Sequence, residues 1–288
     1  MATYLLFRLA GVAIPRLPEK LGRKLFEWLA AVLYYFARGS RRAVHQNLTR
    51  VLPGAKEEEV DRVARGVFRH SLLNYYDLLC SYRLGAGQER LYFQGEDNLR
   101  AAQGMGKGII IATAHLGSIN LLRLATVHFS WKGVVLTEPL LMDGLDRLTD
   151  RLRSSSGIRA FPARLAGLKE AFRSLKRGEI VIVACDRAIQ GTGVRMPFMG
   201  QETLMPNGAV ELAARTGAPL LPAFGLRDED GGHKLLFEPP FTVGQNGNAT
   251  CTPEEGLARV ARAMEDHIRT YPEQWVVFSP IWSGKADE

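Results

Sequence analysis

The sequence predicts an α/β fold: a mainly parallel central sheet flanked by helices, with a helical, membrane-facing N-terminal part. Three observations carry this. From about residue 90, short β-branched apolar runs alternate with stretches of helical period, the pattern of parallel strands joined by crossover helices. One of these runs, residues 108–114, is rich in isoleucine and stops at a histidine. The first forty residues differ, holding two apolar stretches with basic flanks.

Those two stretches cover residues 5–14 and 25–37, bordered by Arg16, Lys20, Arg23, Lys24, Arg38, Arg41 and Arg42. Neither reaches the ~20 uninterrupted apolar residues that spanning a bilayer requires. With Trp28, Tyr34 and Tyr35 beside cationic flanks, residues 1–40 read as helices lying on a membrane surface. A hairpin buried against the body of the protein is the competing reading. Residues 4–14 contain Arg8 and run into Pro15 and Pro18 rather than a small-residue cleavage site, so no cleavable signal peptide is expected.

Residues 41–52 and 57–82 read as helices separated by Pro53-Gly54. The second carries Val60, Val63, Ala64, Val67, Phe68, Ser71, Leu72 and Tyr75 on one stripe. Beyond them, strands are expected at 108–114, 132–137, 179–185 and 218–224, with shorter ones at 234–238 and 275–278. Helices are expected near 119–128, 143–156, 165–177, 206–216 and 253–270.

An apolar fraction of 46% supports a large core, and a net charge of +7 favours an acidic partner: anionic lipid, an acidic carrier protein, a phosphate-bearing substrate or nucleic acid. Nucleic acid is disfavoured, because no recognition motif accompanies the charge and the basic residues gather near the apolar N-terminus. Cys80, Cys185 and Cys251 are far apart and odd in number, which suggests neither a zinc site nor a disulfide framework and fits a reducing compartment.

Four groups of residues could carry chemistry. His115 follows a strand at the edge where α/β sheets form ligand crevices, and its ordinary pKa suits a general base acting on a hydroxyl. Such a base needs an acceptor on its other ring nitrogen, and five positions on stands Asn120, a neutral amide. Asp186 and Arg187 end the strand at 179–185, where they either meet His115 across the same crevice or form a surface salt bridge. Asn207-Gly208 opens a helix whose free N–H groups either hold an anion or are simply capped. Glu138 ends the strand at 132–137, with Arg153 in the helix after it.

Five ordered blocks together resemble the lipid A biosynthesis (lauroyl/myristoyl) acyltransferases and their relatives, including the phosphatidylinositol mannoside acyltransferases, within the lysophospholipid acyltransferase superfamily. The blocks are SRRAVHQNLTRVLP (40–53), GKGIIIATAHLGSINLL (106–122), LKEAFRSLKRGEIVIVACDRAIQGTGVRMPFMG (168–200), PNGAVELAARTGAPLLPAF (206–224) and PEQWVVFSPIW (272–282). The resemblance implies a glycerolipid acyltransferase-like domain over 41–288 and a place at the cytoplasmic face of the inner membrane. It implies transfer of a fatty acyl chain from acyl carrier protein or acyl-CoA to a hydroxyl of a lipid A-like glycolipid or a lysophospholipid. His115 is then the base, Arg153, Arg187, Asn207 and Gly208 bind substrate, and neither metal nor cofactor is needed.

The family motif places Asp or Glu where this chain has Asn120. Three consequences are open: transfer is weakened and the chain is a lipid-binding homologue; another acid, Glu138 or Asp186, supplies the negative charge; or the acceptor is an amine that asks less of the base. The second is favoured, and Glu138 is a candidate because the Thr-Glu-Pro-Leu segment is similar to the mannoside-acyltransferase branch.

Overall fold

The computed structural model describes residues 11, 13–80, 91–118, 128–137, 157–188, 191–228, 232–244 and 249–282. Among the described residues, a 3-10 turn at Ile14–Arg16 leads into three α-helices: α1 (Glu19–Phe36), α2 (Arg38–Val51) and α3 (Glu57–Leu79). A strand and helix follow, β1 (Leu91–Gln94) and α4 (Glu96–Gly104), then β2 (Ile109–Thr113), β3 (Gly133–Thr137) and β4 (Ile158–Pro162). Next are α5 (Leu165–Lys176), β5 (Ile180–Ala184), a hairpin of β6 (Val194–Phe198) and β7 (Gln201–Met205), and α6 (Gly208–Thr216). The chain closes with β8 (Leu220–Arg227), β9 (His233–Phe237) and α7 (Pro253–Thr270).

Seven strands form one sheet in the order β1-β9-β8-β2-β5-β3-β4, parallel throughout except for the antiparallel β8–β9 pair. Strand β2 lies at its centre and is buried on both faces, as its unbroken Ile-Ile-Ile-Ala run requires. Its side chains alternate: Ile110 and Ala112 enter one core with Leu220, Met264 and Trp275, whereas Ile109 and Ile111 enter the other with Leu99, Ile182 and Phe237. Helix α7 begins at a capping box in which Thr252 and Glu255 satisfy each other's backbone N–H, with Pro253 preset for the first turn.

A third cluster joins Ala30 and Tyr34 of α1, Val44 and Leu48 of α2, and Val60, Ala64, Val67 and Phe68 of α3. Val276 and Phe278 from the C-terminal segment pack onto it. The helices therefore pin the segment that, as shown below, touches His115.

Several expectations need correction. Residues 275–278 form no strand; Pro272–Gln274 is a 3-10 turn, and Trp275 makes only a single antiparallel bridge to Leu116. The segment is shaped by docking on the loop after β2 rather than by sheet pairing. The stripe on α3 holds at Val60, Ala64, Val67 and Phe68, but Tyr75 faces solvent, and His70, Leu73, Tyr76 and Asp77 turn inward. Polar residues occupy that inner face because a buried arginine lies opposite (below). The strands β1, β4, β6 and β7 and helix α4 go beyond the elements expected, each being too short to give a clear period. Residues 119–127 and 138–156, where two helices are expected, lie outside the described residues.

Candidate active site

The register of the sheet builds the site. In the β2–β5 pair, Thr113 lies opposite Ala184, and the next backbone bond, Cys185 N–H to Thr113 C=O at 2.8 Å, carries the pairing one step further. His115 and Asp186 each stand two residues past those paired ends, at the carboxyl edge of neighbouring strands. Their side chains meet: His115 Nδ1 is 2.8 Å from Asp186 Oδ1. The His115 backbone N–H donates to Asp186 Oδ2 at 3.0 Å, and the Trp275 indole Nε1–H donates to the same oxygen at 2.9 Å.

The environment fixes the charge state. The Asp186 side chain is fully buried, and burial alone pushes its carboxyl up. The charge of His115 and the hydrogen bonds from its ring, from Trp275 and from its backbone N–H outweigh that burial. The carboxyl is held below its usual range and is ionised at neutral pH. An ionised carboxylate only accepts, so Nδ1 of His115 carries the proton and the basic lone pair falls to Nε2. The His115 side chain is 37% exposed while its partner is 0% exposed, so the ring bridges the interior and the outer surface. Cys185, next to Asp186, is no nucleophile: burial, then the Asp186 charge, pushes its thiol up to about 12.

The loop carrying His115 is fixed by the segment after α7. Val276 N–H donates to the His115 carbonyl at 2.8 Å, and Gly117 N–H to the Gln274 carbonyl at 2.8 Å. Ser118 N–H donates to the Gly225 carbonyl on β8 at 2.7 Å. Gly117 turns the chain at φ +66°, and a Cβ there would stand 2.0 Å from the Gly225 oxygen, so only glycine fits.

Of the residues singled out in the sequence, His115 and Asp186 are brought together. Arg187 follows Asp186, and its Nη1 donates to Ser279 Oγ at 3.1 Å; Ser279 in turn accepts at its carbonyl from Asn47 Nδ2 at 2.9 Å. Asn207 is the N-cap of α6 without a capping bond from its side chain, and Gly208 opens that helix; neither is hydrogen-bonded to the His115–Asp186 pair. Asn120, Glu138 and Arg153 lie outside the described residues. Sequence reasoning missed Gln274 and Trp275, whose block was noted without a role, and Asn47. The signal for Asn47 was a polar residue in the apolar stripe of α2.

A family model described as bacterial lipid A biosynthesis acyltransferase matches residues 2–283. The chain belongs to this family. The acyltransferase is similar to two curated relatives, both named phosphatidylinositol mannoside acyltransferase. That of Mycobacterium tuberculosis (strain ATCC 25618 / H37Rv) is 28% identical over 297 residues, covering 96% of this chain and 87% of the relative. That of Mycolicibacterium smegmatis (strain ATCC 700084 / mc(2)155) is 25% identical over 275 residues, covering 92% and 86%. The acyltransferase is thus an enzyme of lipid biosynthesis, and its candidate catalytic groups sit at the carboxyl edge of its sheet.

Proposed function

We propose that the acyltransferase moves a fatty acyl chain from a thioester donor, acyl carrier protein or acyl-CoA, to a hydroxyl of a glycolipid, with His115 as general base. The observation that carries this is the His115–Asp186 contact, which leaves the ring basic at Nε2. The acceptor hydroxyl attacks the thioester carbonyl while Nε2 takes its proton. The tetrahedral intermediate collapses, the C–S bond breaks, and the leaving thiolate recovers that proton from the imidazolium. Asp186 holds the ring and stabilises its positive charge. Arg187 and the helix N-terminus at Asn207-Gly208 are the candidates for binding the oxyanion or a phosphate headgroup. The mannosylated phosphatidylinositol in the relatives' names is the first acceptor to try.

The reaction takes place on a membrane surface, at the cytoplasmic face of the inner membrane, in this proposal. Among the described residues no helix is long and apolar enough to cross a bilayer. Helix α1, however, packs inward through Phe26, Ala30 and Tyr34 and presents Leu21, Trp28, Leu33 and Phe36 outward, Trp28 at 61% and Phe36 at 80% exposure. Lys20 and Lys24 are exposed on the same helix. An apolar stripe with basic residues suits an interfacial helix on anionic lipid.

The test is acyl transfer by purified protein to mannosylated phosphatidylinositol or lysophospholipid in vesicles, with acyl-CoA and with acylated carrier protein. Transfer that His115→Ala reduces at least about 10³-fold supports the reading. Full activity in that variant overturns His115 as the base.

A further inference from the structure

Behind the His115 loop lies a buried ion pair that the reaction above does not use. Arg227, the last residue of β8, is 5% exposed and Asp77 of α3 is 1% exposed, and the Arg227 guanidinium bonds Asp77 Oδ2. The same Nη2 donates to Asn74 Oδ1 at 2.6 Å, and Asn74 Nδ2 donates to the Gly117 carbonyl at 2.8 Å. Asn74 and Asp77 are three apart on α3 and share the face that His70 begins. The backbone of Arg227 is tied to the same loop from the other side. Its N–H donates to Gln274 Oε1 at 2.9 Å and its carbonyl accepts from Gln274 Nε2 at 2.7 Å, while the Gln274 carbonyl holds Gly117 N–H.

This arrangement is costly. A buried ion pair is commonly no more stabilising than well-packed apolar residues of similar volume. Here Nε and Nη1 of Arg227 and Oδ1 of Asp77 are buried without a hydrogen-bond partner among the described residues, which adds to the cost. Stability alone does not account for it, whereas among the described residues the network reaches the Gly117 carbonyl, two residues from His115. We propose that Asn74 and Arg227 are positioning residues for acyl transfer: Arg227 fixes the Asn74 amide, and that amide fixes the loop presenting His115. The proposal rests on the reading of His115 as base.

Two variants of the full-length protein separate this role from a merely structural one. Asn74→Ala removes the contacts to Arg227 and Gly117, whereas Asn74→Asp keeps an acceptor for Arg227 and loses the donor to Gly117. A displacement of about 1 Å in a reacting group can cost about 100-fold. Both variants are therefore expected to lower kcat by about 10- to 100-fold with KM unchanged, and to speed amide exchange at Gly117 and Ser118. The paired replacement Asp77→Leu/Arg227→Met removes both charges, so it does not strand one of them, and is expected to lower kcat similarly. Wild-type amide protection, or wild-type kcat in Asn74→Asp, overturns the role of Asn74. Wild-type kcat in the paired variant overturns that of Arg227. His115→Ala assayed alongside keeps the two failures apart: full activity there removes the base, while slow exchange in the Asn74 variants removes the positioning.

Discussion

His115 and Asp186 lie 71 positions apart in the chain and 2.8 Å apart in space, because β2 and β5 pair in a register that ends at Thr113 and Ala184. The contact fixes the ring tautomer as well as its orientation. Asp186→Asn keeps the shape but cannot hold the imidazolium, and the comparable Asp→Asn change in serine proteases lowers turnover about 10⁴-fold. Asp186→Asn is expected to lower kcat by about 10³- to 10⁴-fold with the protein still folded. A steady-state assay showing less than a tenfold loss takes Asp186 out of this role.

The same contact bears on Asn120. With an ionised carboxylate already on Nδ1, an acid at position 120 has no vacancy to fill on that nitrogen. Asn120→Glu is expected to change kcat by no more than about threefold, under 1 kcal/mol in barrier. A large gain in turnover would mean that Asp186 is not the working acid.

Gly117 gives a stability test. Its φ of +66° and the approach to the Gly225 oxygen leave no room for a methyl group. Strain at such a position costs roughly 1–3 kcal/mol before the clash is counted. Gly117→Ala should lower the unfolding free energy by at least about 2 kcal/mol in urea titrations; an unchanged midpoint would contradict the geometry.

On the surface, Trp28→Glu combined with Phe36→Glu removes two exposed rings without touching the core side of α1. Each ring contributes about 1.5–3 kcal/mol when buried, so partitioning onto anionic vesicles should weaken at least about 100-fold. Flotation with the double variant at wild-type level would remove α1 as the membrane contact.

Acid stability follows from α3. Burial, then the charges of Arg227 and Arg69, hold His70 down to about 3, against its usual 6.5. The unfolded chain therefore binds a proton near pH 6.5 that the folded protein refuses. Stability is unaffected by His70 above pH 6.5 and falls as pH drops from 6.5 toward 3, by about 1.4 kcal/mol per pH unit. Burial shifts His233 in the same direction. Urea unfolding between pH 7.5 and 5 should show this slope, and His70→Gln should flatten it; equal slopes in the two proteins would contradict the assignment.

Residues whose pattern is local were legible. The isoleucine run of β2, the helical period of α5 and α7, and the Pro-Gly break before α3 each follow from spacing alone, because a two-sided strand and a one-sided helix leave different periods. His115 was legible as the residue that stops a buried strand. The inward turn of α3 at His70 and Asp77 was not, since an apolar-stripe argument assigns polar residues to solvent unless a buried partner is known.

What the sequence determined by itself was the α/β class, the order of its main elements, the family resemblance and two acids able to serve His115. That one of them, Asp186, meets the His115 ring was decided by the tertiary structure, while Glu138 lies outside the described residues. Strand order is a long-range property, and nothing in residues 109–113 or 180–184 says that these strands are neighbours. Once they pair in register, two residues of overhang on each bring Asp186 to the ring. Trp275, Gln274 and Asn74, from two distant segments, then hold the pair and its loop in place.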